Sequence, residues 1–134
     1  TGFCSETEEE HQDTLLMMDK VKFDFAYMFC YSERPGTLAE KRFKDDVPDA
    51  VKKRRLEEVI ERQRIHSLER NQGDVGKVHK VLIEGLSKRS DDHFQGRNSA
   101  NKVVVFPKSN FQKGQYVNVL VEDCTGATLI GRAV

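Results

Sequence analysis

Most markers of catalysis are missing from this chain. Its 134 residues hold three cysteines, Cys4, Cys30 and Cys124, an odd number set too far apart for a Cys-x-x-Cys metal or redox site. Reduced, structural thiols are therefore expected. His11, His66, His79 and His93 each stand alone in sequence. A zinc site needs clustered Cys and His, and a nucleophilic triad needs Ser or Cys beside His and an acid, so these histidines read as surface or structural. No Gly-x-x-x-x-Gly-Lys phosphate loop occurs, and Gly85, Gly96, Gly114, Gly126 and Gly131 have turn or strand-bend explanations. No apolar run approaches the roughly 20 residues that cross a bilayer, and no basic-plus-apolar leader opens the chain. A cytoplasmic protein without a complete active site of its own is expected.

Formal charge is zero, yet it is unevenly placed. Residues 76–134 carry nine Lys and Arg against five acids, and the first 75 carry 13 against 17. A basic module after an acidic one suits an anionic partner, although a solvated surface of mixed charge gives the same count. Thr1 is no initiator, and Thr1 to Cys4 reads as the tail of a strand, so a fragment of a longer protein is expected.

In chain order, Ser5-Glu-Thr-Glu8 reads as a capping box, with Glu8, Glu9 and Glu10 at the positive end of a helix running to about Lys20. Phe23 to Tyr31 places aromatics at odd positions, the period of a strand. Strand, helix and strand make a βαβ unit whose neighbouring strands this chain does not supply. Ser32 to Thr37 is a turn, and Thr37 with Glu40 is a second capping box, opening a helix to about Lys44. Loops at the carboxyl ends of parallel strands carry the sites of α/β proteins, which singles out Arg34, though a structural turn arginine fits equally. Asp46 as cap and Pro48 in the first turn start a longer helix to Gln72, ended by Gly73. Lys52, Lys53, Arg54 and Arg55 read as its wet face, salt-bridged by Glu57, Glu58 and Glu61, with RNA contact the sharper alternative.

From Val75 the period is that of strands: Lys77–Leu86, about Gly96–Ser99, Lys102–Phe106, Tyr116–Glu122 and Thr128–Ala133, with a polar loop from Lys88 to Gln95. Val103 to Phe106 has no polar break, so both faces of that strand should be covered, and Pro107 stops it. Val117, Val119 and Val121 point into the core. The expected fold class is α+β: an incomplete βα portion, a long linking helix, then a five-stranded antiparallel OB-like β-barrel. The domains would be residues 1–72 and 73–134. Such barrels bind single strands with cationic loops and stacking aromatics. The candidates are Lys77, Lys80, Arg89, Arg97, Lys102, Lys108, Lys113 and Arg132, with Phe94 and Phe111 as the better stackers and Phe106 and Tyr116 as core.

Three stretches resemble one family. Thr-Gly-Phe-Cys-Ser-Glu-Thr-Glu-Glu (1 to 9), Tyr-Ser-Glu-Arg-Pro-Gly-Thr (31 to 37) and Gly-Arg-Asn-Ser-Ala-Asn-Lys-Val-Val-Val-Phe (96 to 106) look like segments of the radical S-adenosylmethionine methylthiotransferases, the third like the TRAM domain of the tRNA-modifying branch. His66 to Gly76 fits the family's linker. The resemblance covers the whole chain, with Cys4-Ser5 in place of the commoner Pro-Gly. It implies a C-terminal fragment, holding the end of a radical S-adenosylmethionine partial barrel plus TRAM. The parent would add a methylthio group to carbon 2 of N6-isopentenyladenosine beside the tRNA anticodon, using two 4Fe-4S clusters and S-adenosylmethionine. The cysteines that hold those clusters in the family are absent, so the fragment alone should be inactive. The resemblance places Gly2, Glu6, Ser32 and Arg34 near the S-adenosylmethionine site, and makes the tRNA anticodon stem-loop the partner, with no DNA and no membrane. Two other readings are a stand-alone RNA-binding adaptor and a ribosomal-protein methylthiotransferase whose barrel binds protein; Arg34 and the basic barrel speak against the second.

Overall fold

The computed structural model describes residues 1–134, which divide into two compact units, Thr1–His66 and Ser67–Val134. In the first unit, α1 spans Glu8–Val21 and opens on a capping box two residues later than the one expected at Ser5. Thr7 Oγ1 accepts from Glu10 N–H at 3.2 Å, and the Glu10 carboxylate accepts from Thr7 N–H at 2.8 Å. Ser5 is excluded because it sits at φ 62° in a turn, where its N–H donates to Asp46 Oδ1 at 2.7 Å. That bond also takes Asp46 away from the cap expected of it. α2, Leu38–Arg42, is capped by Thr37 as expected but stops two residues short of Lys44. α3, Asp49–Gln72, starts just after Pro48, whose carbonyl accepts from the N–H groups of Val51 and Lys52.

The strand expected over Phe23–Tyr31 does not form. The segment is extended and its exposure alternates, but it lies in no sheet, and Phe23, Phe25, Tyr27 and Phe29 face outward. One rung of the expected parallel pairing exists: the Thr1 ammonium donates to Phe29 O and Tyr31 N–H donates to Thr1 O, each at 2.8 Å. The small core of this unit is Leu15, Met18 and Val59, with Met28 against it.

The buried stripe of α3 is mostly polar: Lys52, Arg55, Val59, Gln63 and His66 recur at helical spacing on one face. This corrects the reading of Lys52 to Arg55 as a wet face. Lys52 lies against the Asp45 carboxylate at 2.6 Å, and Arg55 donates to Glu6 Oε2 at 2.7 Å and Glu6 O at 2.9 Å. Only Lys53 and Arg54 of the four stay exposed.

The second unit is a closed barrel of β1 (Val78–Ser87), β2 (Ser90–Arg97), β3 (Val103–Pro107), β4 (Tyr116–Cys124) and β5 (Thr128–Ala133), in the ring order β1-β2-β3-β5-β4. Four pairings are antiparallel, but β3 and β5 run parallel, with Val104 opposite Leu129, so the all-antiparallel expectation is corrected. β2 occupies what read as the polar loop Lys88 to Gln95, and it does not continue to Ser99. Its sequence, SDDHFQGR, holds one large apolar residue, Phe94, and so gives almost no alternation to detect. Val81, Ile83, Phe94, Val104, Phe106, Val117, Val119, Val121 and Leu129 fill the interior. Val103 and Val105 are half-buried and Val104 and Phe106 fully so, as the unbroken run implied.

Candidate functional site

Within the stretch Gly96–Pro107, the loop between β2 and β3 is closed by side-chain hydrogen bonds. Asn98, buried, accepts at Oδ1 from Ala100 N–H at 3.0 Å and from Lys102 N–H at 2.9 Å, closing a side-chain-to-backbone turn. Asn101 takes a left-handed φ of 59°, tolerable for Asn, and its carbonyl and side-chain oxygens accept from the Arg97 guanidinium at 2.8 and 3.1 Å. The loop is therefore fixed before any partner arrives.

Beneath it lies Asp74, which accepts from Lys102 Nζ at 2.7 Å and has His79 Nε2 and Lys77 Nζ each at 3.6 Å. Burial alone would raise the Asp74 carboxyl, but the Lys102 hydrogen bond and charge, helped by His79 and Lys77, outweigh it and hold it below the usual carboxylate range. A depressed folded value means this charge stabilises the barrel fully above about pH 4 and that the gain fades as pH falls through the folded value. The stability gap between the parent chain and Asp74→Asn is expected to be constant above about pH 4 and to narrow in more acid solution, read by urea unfolding at stepped pH. Parallel profiles for the two proteins at every pH would remove Asp74 from this role.

The cations expected to meet RNA fall into two sets. Lys102 is drawn onto Asp74, Arg132 pairs with Glu122 at 2.8 Å, and Arg97 braces the Asn101 loop with Glu84 at 3.6 Å. Lys77, Lys80, Arg89, Lys108 and Lys113 are exposed. The aromatic expectations are largely reversed. Phe94 is a core residue packed at a tilt against Phe106 and cannot be a platform, and Phe111 is half-buried against the same core. Tyr116, expected in the core, is 62% exposed with the Lys80 ammonium 4.8 Å from its ring centroid. Its signal was present: with Val117, Val119 and Val121 pointing inward, strand alternation sends residue 116 outward.

In the first unit a cleft of about 670 Å³ is lined in part by Glu6, Ser32 and Arg34, three of the four residues expected together, and by the rings of Phe3, Phe29 and Tyr31. Gly2 does not line it. Gly2 is buried at φ 75°, its N–H donates to Glu6 Oε2 at 2.7 Å, and a Cβ there would lie 2.3 Å from Lys52 Cγ. Cys4 is buried and does not line the cleft.

The one gathering of three metal-capable side chains is Glu8, His11 and Glu58, which sequence spacing could not show. Guanidinium groups already balance its charge: Arg54 bonds Glu8 and Glu58, and Arg55 bonds Glu8. The Arg54 hydrogen bond is the largest cause holding the Glu8 carboxyl at about 2. His11 is fully buried and bonds Glu58 at 2.7 Å.

A family model described as TRAM domain matches residues 72–134. The tRNA-2-methylthio-N(6)-dimethylallyladenosine synthase of Amoebophilus asiaticus is 63% identical over 130 residues, 97% of this chain and 27% of that protein. The synthases of the same name from Christiangramia forsetii and Chloroherpeton thalassium are each 53% identical over the whole chain, which covers 28% and 30% of them. The chain thus spans less than a third of the length of these curated relatives. A solved solution structure of a conserved Methanococcus maripaludis protein is 27% identical, covering 45% of this chain and 79% of its own, with a TM-score of 0.37.

Proposed function

The chain belongs to the family of tRNA-2-methylthio-N(6)-dimethylallyladenosine synthases and carries a TRAM domain, and from that premise we propose that it is the tRNA-gripping part of such an enzyme. The whole enzyme would add a methylthio group to carbon 2 of N6-isopentenyladenosine next to the anticodon, in the cytoplasm. No helix here is long and apolar enough to cross a membrane. The observation that carries the reading is the 63% identity over nearly the whole chain. The exposed lysines and arginines of the barrel support it physically, because contacts to phosphate dominate affinity for nucleic acid.

The parent's two 4Fe-4S clusters do not fit the residues here. Cys4 is buried, Cys30 lies in the same unit and Cys124 in the other, and the only three-residue metal-capable group contains no thiol. The segment alone is therefore inactive in this reading. S-adenosylmethionine fits better: Arg34 offers a cation, Ser32 a hydroxyl, and Phe3, Phe29 and Tyr31 apolar rings around one cleft. When bound, that group supplies the radical and the methyl. Glu6, fixed by Gly2 and Arg55, would hold its wall in place.

Titration of the 134-residue chain with an anticodon stem-loop RNA, beside a DNA duplex, tests the grip. RNA is expected to win, with log affinity falling against log salt at a slope of roughly −0.7 per phosphate contacted. Reversing Arg89, Lys108 and Lys113 together to Glu should flatten that slope, since these exposed cations are not tied into the loop as Arg97 and Lys102 are. Absence of an RNA preference would turn the barrel into a protein-binding module.

A further inference from the structure

We propose that Tyr116 is a stacking platform for an unpaired RNA base, flanked by Lys80 and Arg97; this rests on the RNA-binding reading above and assigns its base contact. Of the barrel's four Phe and Tyr residues, Phe94 and Phe106 are buried and Phe111 is half-buried, while Tyr116 stands on the outside. It opens β4, directly opposite Leu82 of β1, and Leu82 in turn lies opposite Arg97 of β2. Directly paired residues share a face, so Tyr116, Leu82 and Arg97 form one row across three strands. Lys80 precedes Leu82 by two residues on that same face, opposite Asn118.

The result is a half-buried aliphatic floor at Leu82 with an aromatic ring on one side and a guanidinium on the other. Glu84 lies 3.6 Å from Arg97 Nε. The Lys80 ammonium over the ring is a cation–π contact, which at an exposed site is worth little by itself and leaves the side chain able to swing to a phosphate. A large ring that contributes nothing to the core, with the exposed Lys80 ammonium over it and the Arg97 guanidinium, held by Asn101, across the row, is the combination that single-stranded nucleic acid uses: bases stack on the ring, and the backbone meets the Lys80 charge. Stacking tolerates any base, so the platform would recognise that a nucleotide is unpaired rather than which nucleotide it is. This suits a partner presenting a loop.

The sequence contains no tryptophan, so Tyr116→Trp makes a single-indole reporter of the whole chain. Its emission is expected to be quenched saturably by an anticodon stem-loop RNA and by an oligouridylate, and far less by a blunt RNA duplex. Tyr116→Phe should bind the stem-loop within twofold of the parent, while Tyr116→Ala should bind about 10-fold more weakly at an unchanged salt slope. Lys80→Gln, in contrast, should reduce that slope by about one contact. All variants are first shown to keep the parent's thermal transition. If Tyr116→Ala binds as well as the parent and the indole is not quenched, or if duplex and single strand quench alike, the platform is overturned while RNA binding stands. If the parent binds no RNA at all, the grip falls and the platform with it.

Discussion

Gly96→Ala and Gly131→Ala are each expected to destabilise the closed barrel strongly. A Cβ on Gly96 would lie 2.2 Å from Leu82 O and 2.7 Å from Val81 Cγ1, and one on Gly131 would lie 2.1 Å from Leu120 O. The obstructing oxygens belong to the paired strand and are held by the ladder, so they cannot give way as a flexible side chain would. Neither glycine has a positive φ, so the need is for space and not for a left-handed backbone. Gly96 faces Ile83, and Gly131 faces Val121, and a register shift follows each of those partners, at Ile83/Gly85 and Val121/Asp123. The sheet coils hardest at these two bulged pairs, and the strands can approach there only without side chains. Overpacking costs about 1–3 kcal/mol where atoms can relax, and more where they cannot. At roughly 4–8 °C per kcal/mol, a melting temperature at least 10 °C lower is expected by circular dichroism. Gly114→Ala is the comparison, since Gly114 has open space around it and only its φ of 89° is strained. Melting of Gly96→Ala at the parent's temperature would contradict the close approach.

Arg55→Ala is expected to unfold the first unit selectively. Arg55 is 4% exposed and donates to the carboxylate and the carbonyl of Glu6 and to the carboxylate of Glu8. Through Glu6 it also fixes Gly2, whose N–H shares the same carboxylate oxygen. Removing one partner of a buried pair strands the other charge, at about 3–5 kcal/mol. The core cluster of this unit has three buried apolar residues, so little else opposes the loss. Arg55→Met with Glu6→Gln should recover part of it, because neither member is then charged. The readout is urea unfolding followed by the helical circular dichroism band, since α1, α2 and most of α3 lie in the first unit. A single substitution costing less than about 1 kcal/mol would mean that water reaches Glu6 and replaces the guanidinium.

Much of the barrel could be read from the chain because its core obeys a simple rule. Val117, Val119 and Val121 alternate in β4, and all three are buried. β2 escaped because one phenylalanine among polar residues carries no period, and its strand status comes from pairing with β1 and β3 instead. The parallel pairing of β3 with β5 is a long-range contact that no local pattern encodes. In the first unit the hydrophobic rule misled. Lys52 and Arg55 looked wet because they are charged, but Asp45, in the loop before the helix, and Glu6, 49 residues away, neutralise them on a buried face. The family resemblance, and no local pattern, grouped Gly2, Glu6, Ser32 and Arg34; three of them line one cleft, whereas Gly2 acts one step behind it. Tyr116 was misplaced by residue type against the evidence of its own strand.

The position of β5 between β3 and β4 has a consequence for the order of events in synthesis. The hairpin of β1 and β2, and the addition of β3, use neighbours that have just been made, and β4 reaches back only to β1. Thr128–Ala133 is translated after all of these, yet it alone joins the two free margins. Without it, β1 to β4 can form only a sheet with two open edges, and edges of that kind recruit other strands. Closure is then one late, non-local event, the slow type of step in β topologies. Anything that keeps β5 from docking would prolong the interval in which the open margins of neighbouring chains can pair by mistake.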